Sequence, residues 1–194
     1  AVSACEKGGQ WVKALGLLVE MSSACVALHS ITYSAAMSAC EKSGRWAEAL
    51  GLLVQMASAR VDLNIITYGA AVSACEKGGR WVEALGLLVK MASARVEFDT
   101  VTYNAALSAC EKGARWDKAL GLLVEMASAR VELNTITFNA AVSSCEKGAR
   151  WAKAVGLLVE MASARVDMNT ITFNAAVSAC GKGGRWAEAL GMAL

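Results

Sequence analysis

The 194-residue chain has no proline and a single histidine, His29. With one histidine, a Ser-His-Asp or Cys-His catalytic set would have to form around His29, which lies in CVALHS with no carboxylate within eight residues on either side. No Cys-x-x-Cys pair occurs, so a zinc set cannot be assembled either. The chain is therefore expected to be no enzyme, with no cofactor, no metal and no small-molecule substrate. Long apolar runs are missing as well. Ala154 to Val159 is a typical one, far short of the ~20 residues a spanning helix needs, which argues against a membrane protein. Charge of one sign is not in excess: the net charge is +2, so any polyanionic partner must be held by local charge placement. No Pro/Gly/Ser-rich linker or charge run marks an internal domain boundary.

What is present is a period. Cys5, Cys40, Cys75, Cys110, Cys145 and Cys180 are each 35 residues apart, as are Trp11, Trp46, Trp81, Trp116, Trp151 and Trp186. A strict period of this length means a stack of supersecondary units that cannot bury their apolar faces alone. The expected organisation is one array over 1–194, with full units 30–64, 65–99, 100–134 and 135–169 and partial units 1–29 and 170–194. The chain starts and stops inside a unit, without polar end caps, and is expected to be a fragment of a longer array. Packed helices lie about 8–10 Å apart, beyond the ~7 Å limit for a disulfide between equivalent cysteines. The thiols are expected to be small core residues in a reducing compartment.

Each unit carries two helical patterns, and no strand-like alternation occurs, so the fold class is all-α. Tyr33, Ala36, Met37 and Cys40 form an apolar stripe on a first helix expected over 32–42. The Asn-x-x-Thr or Asp-Thr-x-Thr sequences ahead of each Tyr or Phe offer capping oxygens, and Ser43-Gly44 or Gly78-Gly79 end the helix. A second helix, expected over 45–59, repeats the spacing with Trp46, Ala49, Leu50, Leu53, Met56 and Ala57, and Leu52 and Val54 are expected to widen its apolar face. Gly51, Gly86, Gly121 and Gly156 sit inside this helix at a cost of ~1 kcal/mol each relative to Ala. Close helix–helix approach is the expected compensation.

The unit (V/I)-T-(Y/F)-N-A-A-(V/L)-S-A-C-E-K-G-(G/A)-R-W-x-(E/K)-A-L-G-L-L-x-x-M resembles the P-type units of the pentatricopeptide repeat family across all 194 residues. A tetratricopeptide unit would have a 34-residue period and an early Trp-x-x-Leu-Gly. The resemblance implies an α-solenoid, a right-handed superhelix whose first helices line a groove for single-stranded RNA, and a mitochondrial or chloroplast setting in RNA processing, stability or translation. One departure is that Arg60, Arg95, Arg130 and Arg165 stand where family units commonly turn on glycine, which puts the loop geometry in question.

The resemblance also assigns roles. One base per unit would be read by the residue after the aromatic and the last residue of the unit: Ser34 with Asn64, Gly69 with Asp99, Asn104 with Asn134, Asn139 with Asn169, and Asn174 alone. Ile31, Ile66, Val101, Ile136 and Ile171 would sandwich the bases. Lys42, Lys77, Lys112, Lys147 and Lys182 would approach phosphates. The implied tract is 5′-A-N-Y-Y-Y-3′, in which the Asn–Asn units favour cytosine and the Gly69–Asp99 unit leaves its base undetermined. The residues also fit plainer roles: capping for the Asn and Asp, packing for the aliphatic column, a solvated face for the lysines. The alternative function is a protein-binding or architectural scaffold, such as a subunit of a ribonucleoprotein.

Overall fold

The computed structural model describes residues 10–24 and 28–185 together with Val2, Gly8 and Val26. The expectations for the first helix of the partial unit 1–29, for Cys5 and Cys25, and for the second helix beginning at Trp186 lie outside the described residues. Among the described residues there are ten helices and no strands: α1 (Trp11–Ser23), α2 (Ser30–Lys42), α3 (Trp46–Ser58), α4 (Ile65–Lys77), α5 (Trp81–Ser93), α6 (Thr100–Lys112), α7 (Trp116–Ser128), α8 (Thr135–Lys147), α9 (Trp151–Ser163) and α10 (Thr170–Lys182). This is an all-α repeat solenoid. Helix bounds fall within two residues of those expected. The chain forms two compact units, 1–106 and 107–194.

In the first compact unit, α2 packs against α1, α3 and α4, and α4 also against α3 and α5. In the second, α8 packs against α7, α9 and α10, and α9 against α10. Even-numbered helices are thus pressed from several sides, which explains their small residues: Ala36, Ala39, Ala71, Ala74, Ala141 and Ala176 are wholly buried. Odd-numbered helices bury a single stripe, for example Ala49, Leu52, Leu53 and Met56 on α3. Their far side meets solvent, and this corrects two expectations. Val54 does not widen the buried face but is 63% exposed, as are its equivalents Val19, Val89, Val124 and Val159 to a similar degree. Gly51, Gly86, Gly121 and Gly156 are exposed, and a Cβ added at any of them would meet nothing within 4 Å. No close helix approach compensates for these glycines.

Neighbouring repeats are stapled by tryptophan. A Cβ placed on Gly78 would lie 2.5 Å from Cδ1 of Trp46, and Gly148 and Gly183 meet Trp116 and Trp151 in the same way. These C-cap glycines have negative φ, −80°, −84° and −83°. A Cβ at these three would press on the indole of the preceding repeat, although α2 carries Ser43 at the matching place. An arginine closes each indole from its face: Arg45 over Trp11 at 4.1 Å, Arg80 over Trp46 at 4.3 Å, Arg150 over Trp116 at 4.7 Å and Arg185 over Trp151 at 4.6 Å. Conformational demand sits one residue later, where Gly44 and Gly79 have φ of 63° and 68° but Ala114 and Ala149 manage 52° and 51°.

The arginines at the family's glycine position take up the left-handed turn themselves. Arg60, Arg95, Arg130 and Arg165 have φ of 54–56°, at a cost of about 1–2 kcal/mol each. The bonds that close the helix end survive, with Val61 N–H donating to Met56 O at 2.9 Å and Val96 N–H to Met91 O at 3.0 Å. Loop geometry is therefore kept despite the replacement.

Cys40, Cys75, Cys110, Cys145 and Cys180 are buried thiols that form no disulfide. Burial pushes the thiols of Cys40, Cys75, Cys110 and Cys145 up to about 11, with nearby charges such as Glu48 at Cys40 adding less. Among the described residues no group of three or more His, Cys, Asp or Glu could hold a metal ion, and no helix is long and apolar enough to cross a membrane.

Candidate nucleic-acid interface

The even-numbered helices begin at the residues assigned to reading. Asn64 Oδ1 accepts from the backbone N–H of Ile66 and Thr67, both at 3.1 Å, and Thr67 Oγ1 accepts from Asn64 N–H at 3.0 Å. Asn134 with Thr137 and Asn169 with Thr172 form the same reciprocal cap. Asp99 Oδ1 accepts from Thr102 N–H at 2.8 Å. His29 occupies the same place before α2 without a side-chain cap bond. Capping is thus one real role of these residues, and it fixes their orientation. The oxygen faces the helix, so each Asn presents its NH₂ outward.

In repeat 135–169 this cap extends into a pair. Asn139 Nδ2 donates to Asn169 Oδ1 at 3.3 Å, while the buried hydroxyl of Thr172 bonds Asn139 Oδ1. Both carboxamide oxygens are engaged. In repeat 65–99 the same place is open. Ile66, Gly69, Asp99 and Val101 line a shallow depression of about 250 Å³, joined by Ser38, Glu41, Ser73 and Thr102. A Cβ on Gly69 would sit 3.3 Å from Thr102 Oγ1, so a side chain there would lean on Thr102 as Asn139 leans on Thr172.

The other assigned residues fall into two groups. Ser34 and Asn104 are half-buried on α2 and α6, and Asn174 is exposed on α10. Ile31, Ile66, Val101, Ile136 and Ile171 are exposed, between 61% and 81%, so core packing does not account for them. All five lysines are exposed at helix C-termini. Lys77 Nζ lies 3.0 Å from Glu41 Oε1, Lys147 Nζ 2.9 Å from Glu111 Oε1, and Lys182 Nζ 2.9 Å from Glu146 Oε1. Ser178 Oγ also donates to Glu146 at 2.8 Å. Burial pushes the Glu146 carboxyl up, but the bonds from Lys182 and Ser178 and the charges of Lys182 and Lys147 outweigh it and hold the group below its ordinary value.

Sequence reasoning missed Thr172 and the three glutamates. The glutamate signal was a 36-residue spacing from a Glu to the Lys of the next unit, masked by the Glu-Lys dipeptide that recurs in every unit but the last. The opposite side of the repeats carries apolar grooves, one of about 820 Å³ between α1 and α3 walled by Leu15, Val19 and Val54, and one of about 670 Å³ between α3 and α5.

Comparison with known proteins bears on this geometry. The PPR repeat model matches residues 1–26, 31–61, 66–96 and 171–192, and the PPR repeat family model matches 98–147. No curated protein sequence matches the chain. Among solved structures, the pentatricopeptide repeat protein PPR10 from maize is similar at 27% identity and a TM-score of 0.76, over 98% of this chain and 27% of PPR10. PPR10 in complex with an 18-nt psaJ RNA element is similar at 27% identity and a TM-score of 0.69, over 98% and 26%. The PPR domain of Arabidopsis thaliana protein-only RNase P 1 in complex with tRNA shares the fold at 16% identity and a TM-score of 0.76, over 96% and 95%. The chain spans about a quarter of the length of PPR10.

Proposed function

Because the chain belongs to the pentatricopeptide repeat family, we propose that its even-numbered helices bind single-stranded RNA, selectively and without catalysis, at about one base per repeat. The observation that carries this reading is the Asn139–Asn169–Thr172 network. With both oxygens engaged, it offers mainly N–H donors. The Watson–Crick edge of cytosine supplies two acceptors, N3 and O2, to meet them. Ile136 and Ile171 are exposed and in this reading would sandwich the base. The other units follow the same frame: Ser34 with Asn64 for adenine, Asn104 with Asn134 and Asn174 for pyrimidine, giving 5′-A-N-Y-Y-Y-3′. Residues 1–194 form one array in this reading, supported by the unbroken 35-residue register. A role in mitochondrial or chloroplast RNA processing, stability or translation follows from the family.

Fluorescence anisotropy with labelled ACCCC and AGCCC against a scrambled purine control, at two salt concentrations, tests the proposal. Preference for the cytosine-rich oligonucleotides, lost on Asn104→Ala with Asn139→Ala, is the expected result. Equal and negligible binding to all three sinks it. The grooves beside Val19 and Val54 favour a second reading, a scaffold that docks protein subunits of a ribonucleoprotein, which would show no salt-dependent RNA affinity.

A further inference from the structure

The lysines assigned to phosphate are not waiting for one. Lys77, Lys147 and Lys182 each reach back one repeat to a glutamate of the preceding even-numbered helix, at 3.0, 2.9 and 2.9 Å. The three pairs share one geometry, Glu to Lys at 36 residues, and the glutamates are the less exposed partners, at 22–28% against 39–49% for the lysines. Glu41 also lines the depression at Gly69 and Asp99, which places one carboxylate beside the proposed base site. Glu146 is fixed further by Ser178. A phosphate that takes one of these lysines must displace a carboxylate that remains nearby and repels it.

We propose that Glu41, Glu111 and Glu146 set the strength of RNA binding by acting as internal counter-ions that compete with RNA phosphates for Lys77, Lys147 and Lys182. The proposal rests on the RNA reading above. It makes the glutamates determinants of affinity although they donate nothing to RNA. It also explains why an array carrying a lysine in every repeat has a net charge of only +2. Base preference resides in other side chains and is unaffected, so the glutamates tune how tightly any tract is held.

The test compares the whole chain with Glu41→Gln/Glu111→Gln/Glu146→Gln and with a control, Glu20→Gln/Glu97→Gln/Glu160→Gln, whose exposed carboxylates lie away from the lysines. Both variants gain the same charge. Glutamine keeps a hydrogen-bond acceptor for each lysine, and thermal melts verify that both variants fold. The probe is a short labelled oligocytidine. The first variant is expected to bind roughly 10- to 100-fold tighter, from about fivefold or less per exposed pair released. Its plot of log affinity against log salt steepens by about 2, from ~0.7 per added phosphate contact on a single strand. The control moves by less than about threefold. Adding Lys77→Ala/Lys147→Ala/Lys182→Ala abolishes the gain. Equal gains in both variants, or none in the first while the unaltered chain binds RNA, overturn the counter-ion role. Absence of RNA binding in every protein overturns the RNA reading itself and leaves the pairs as helix staples.

Discussion

Repeats 65–99 and 135–169 share nearly every buried residue, yet differ where they face solvent. Tyr68 and Phe138, Ala71 and Ala141, Cys75 and Cys145, Met91 and Met161 occupy matching places in the two cores. The pair facing solvent is Gly69 with Asp99 in one and Asn139 with Asn169 in the other, half-buried except for Asn169, an open depression against a closed hydrogen-bond network. The frame is held because each of its residues touches a neighbouring helix, whereas the two solvent-facing positions touch mainly Thr102 or Thr172. Two buried differences remain, Tyr68 against Phe138 and Ala74 against Ser144. Ser144 stands where the other repeat has Ala74, and its hydroxyl is buried without a partner.

The largest expected effect is common to both repeats. Cys75 and Cys145 are held near 11 against an ordinary 9.0. Their protonated form is favoured in the fold, so stability is complete below about pH 9 and is lost as pH rises through about 11, by about 2–3 kcal/mol per thiol. Chemical denaturation between those pH values measures it, and mass spectrometry after alkylation should find both cysteines protected until unfolding. Next, Gly78→Val and Gly148→Val should each cost about 1–3 kcal/mol by pushing on Trp46 and Trp116. Unequal melting shifts would show that the staples differ. Ser144→Ala should stabilise by about 1–2 kcal/mol, relieving a buried orphan hydroxyl and matching the site to Ala74 of the other repeat. Gly69→Asn with Asp99→Asn should bring cytosine selectivity to the first repeat, worth about tenfold in affinity for a C over a G at that position, and Asn139→Gly should erase it in the second. Smallest, Gly86→Ala and Gly156→Ala should each add about 0.5–1 kcal/mol, because both glycines are exposed in helix interiors. A destabilising result at either would mean that a partner surface approaches there.

Much of this architecture was legible in the chain. The 35-residue period, the capping Asn and Asp, and the stripe through Tyr33, Met37 and Cys40 depend on contacts within a unit or on strict repetition, and local pattern reports both. What escaped depends on contacts between units. Periodicity made Val54 and Gly51 look like packing residues, but the odd-numbered helices bury one side only. Gly78 looked like a turn residue, and its actual constraint is the indole of Trp46. The lysine column looked like phosphate contacts or a solvated face, whereas Lys77 bonds Glu41 of the preceding repeat. For the solvent-facing pair, sequence names the residues, while the direction in which each carboxamide points comes from the cap that only the folded helix completes.

That cap has a consequence for how such an array can change over generations. Asn64, Asn134 and Asn169 hold the start of a helix with the same side chain that stands at the exposed face. Replacing one by a residue without a short acceptor would cost about 1 kcal/mol of helix stability before any ligand is considered. The last residue of a unit is therefore drawn toward side chains with a short acceptor, Asn or Asp in the four full units, and His29 shows the place filled without a cap bond. The residue after the aromatic carries no such duty, and Ser34, Gly69 and Asn104 already differ in three successive repeats. New preferences would arise first at that unconstrained position, with the last residue following within the limits that folding sets.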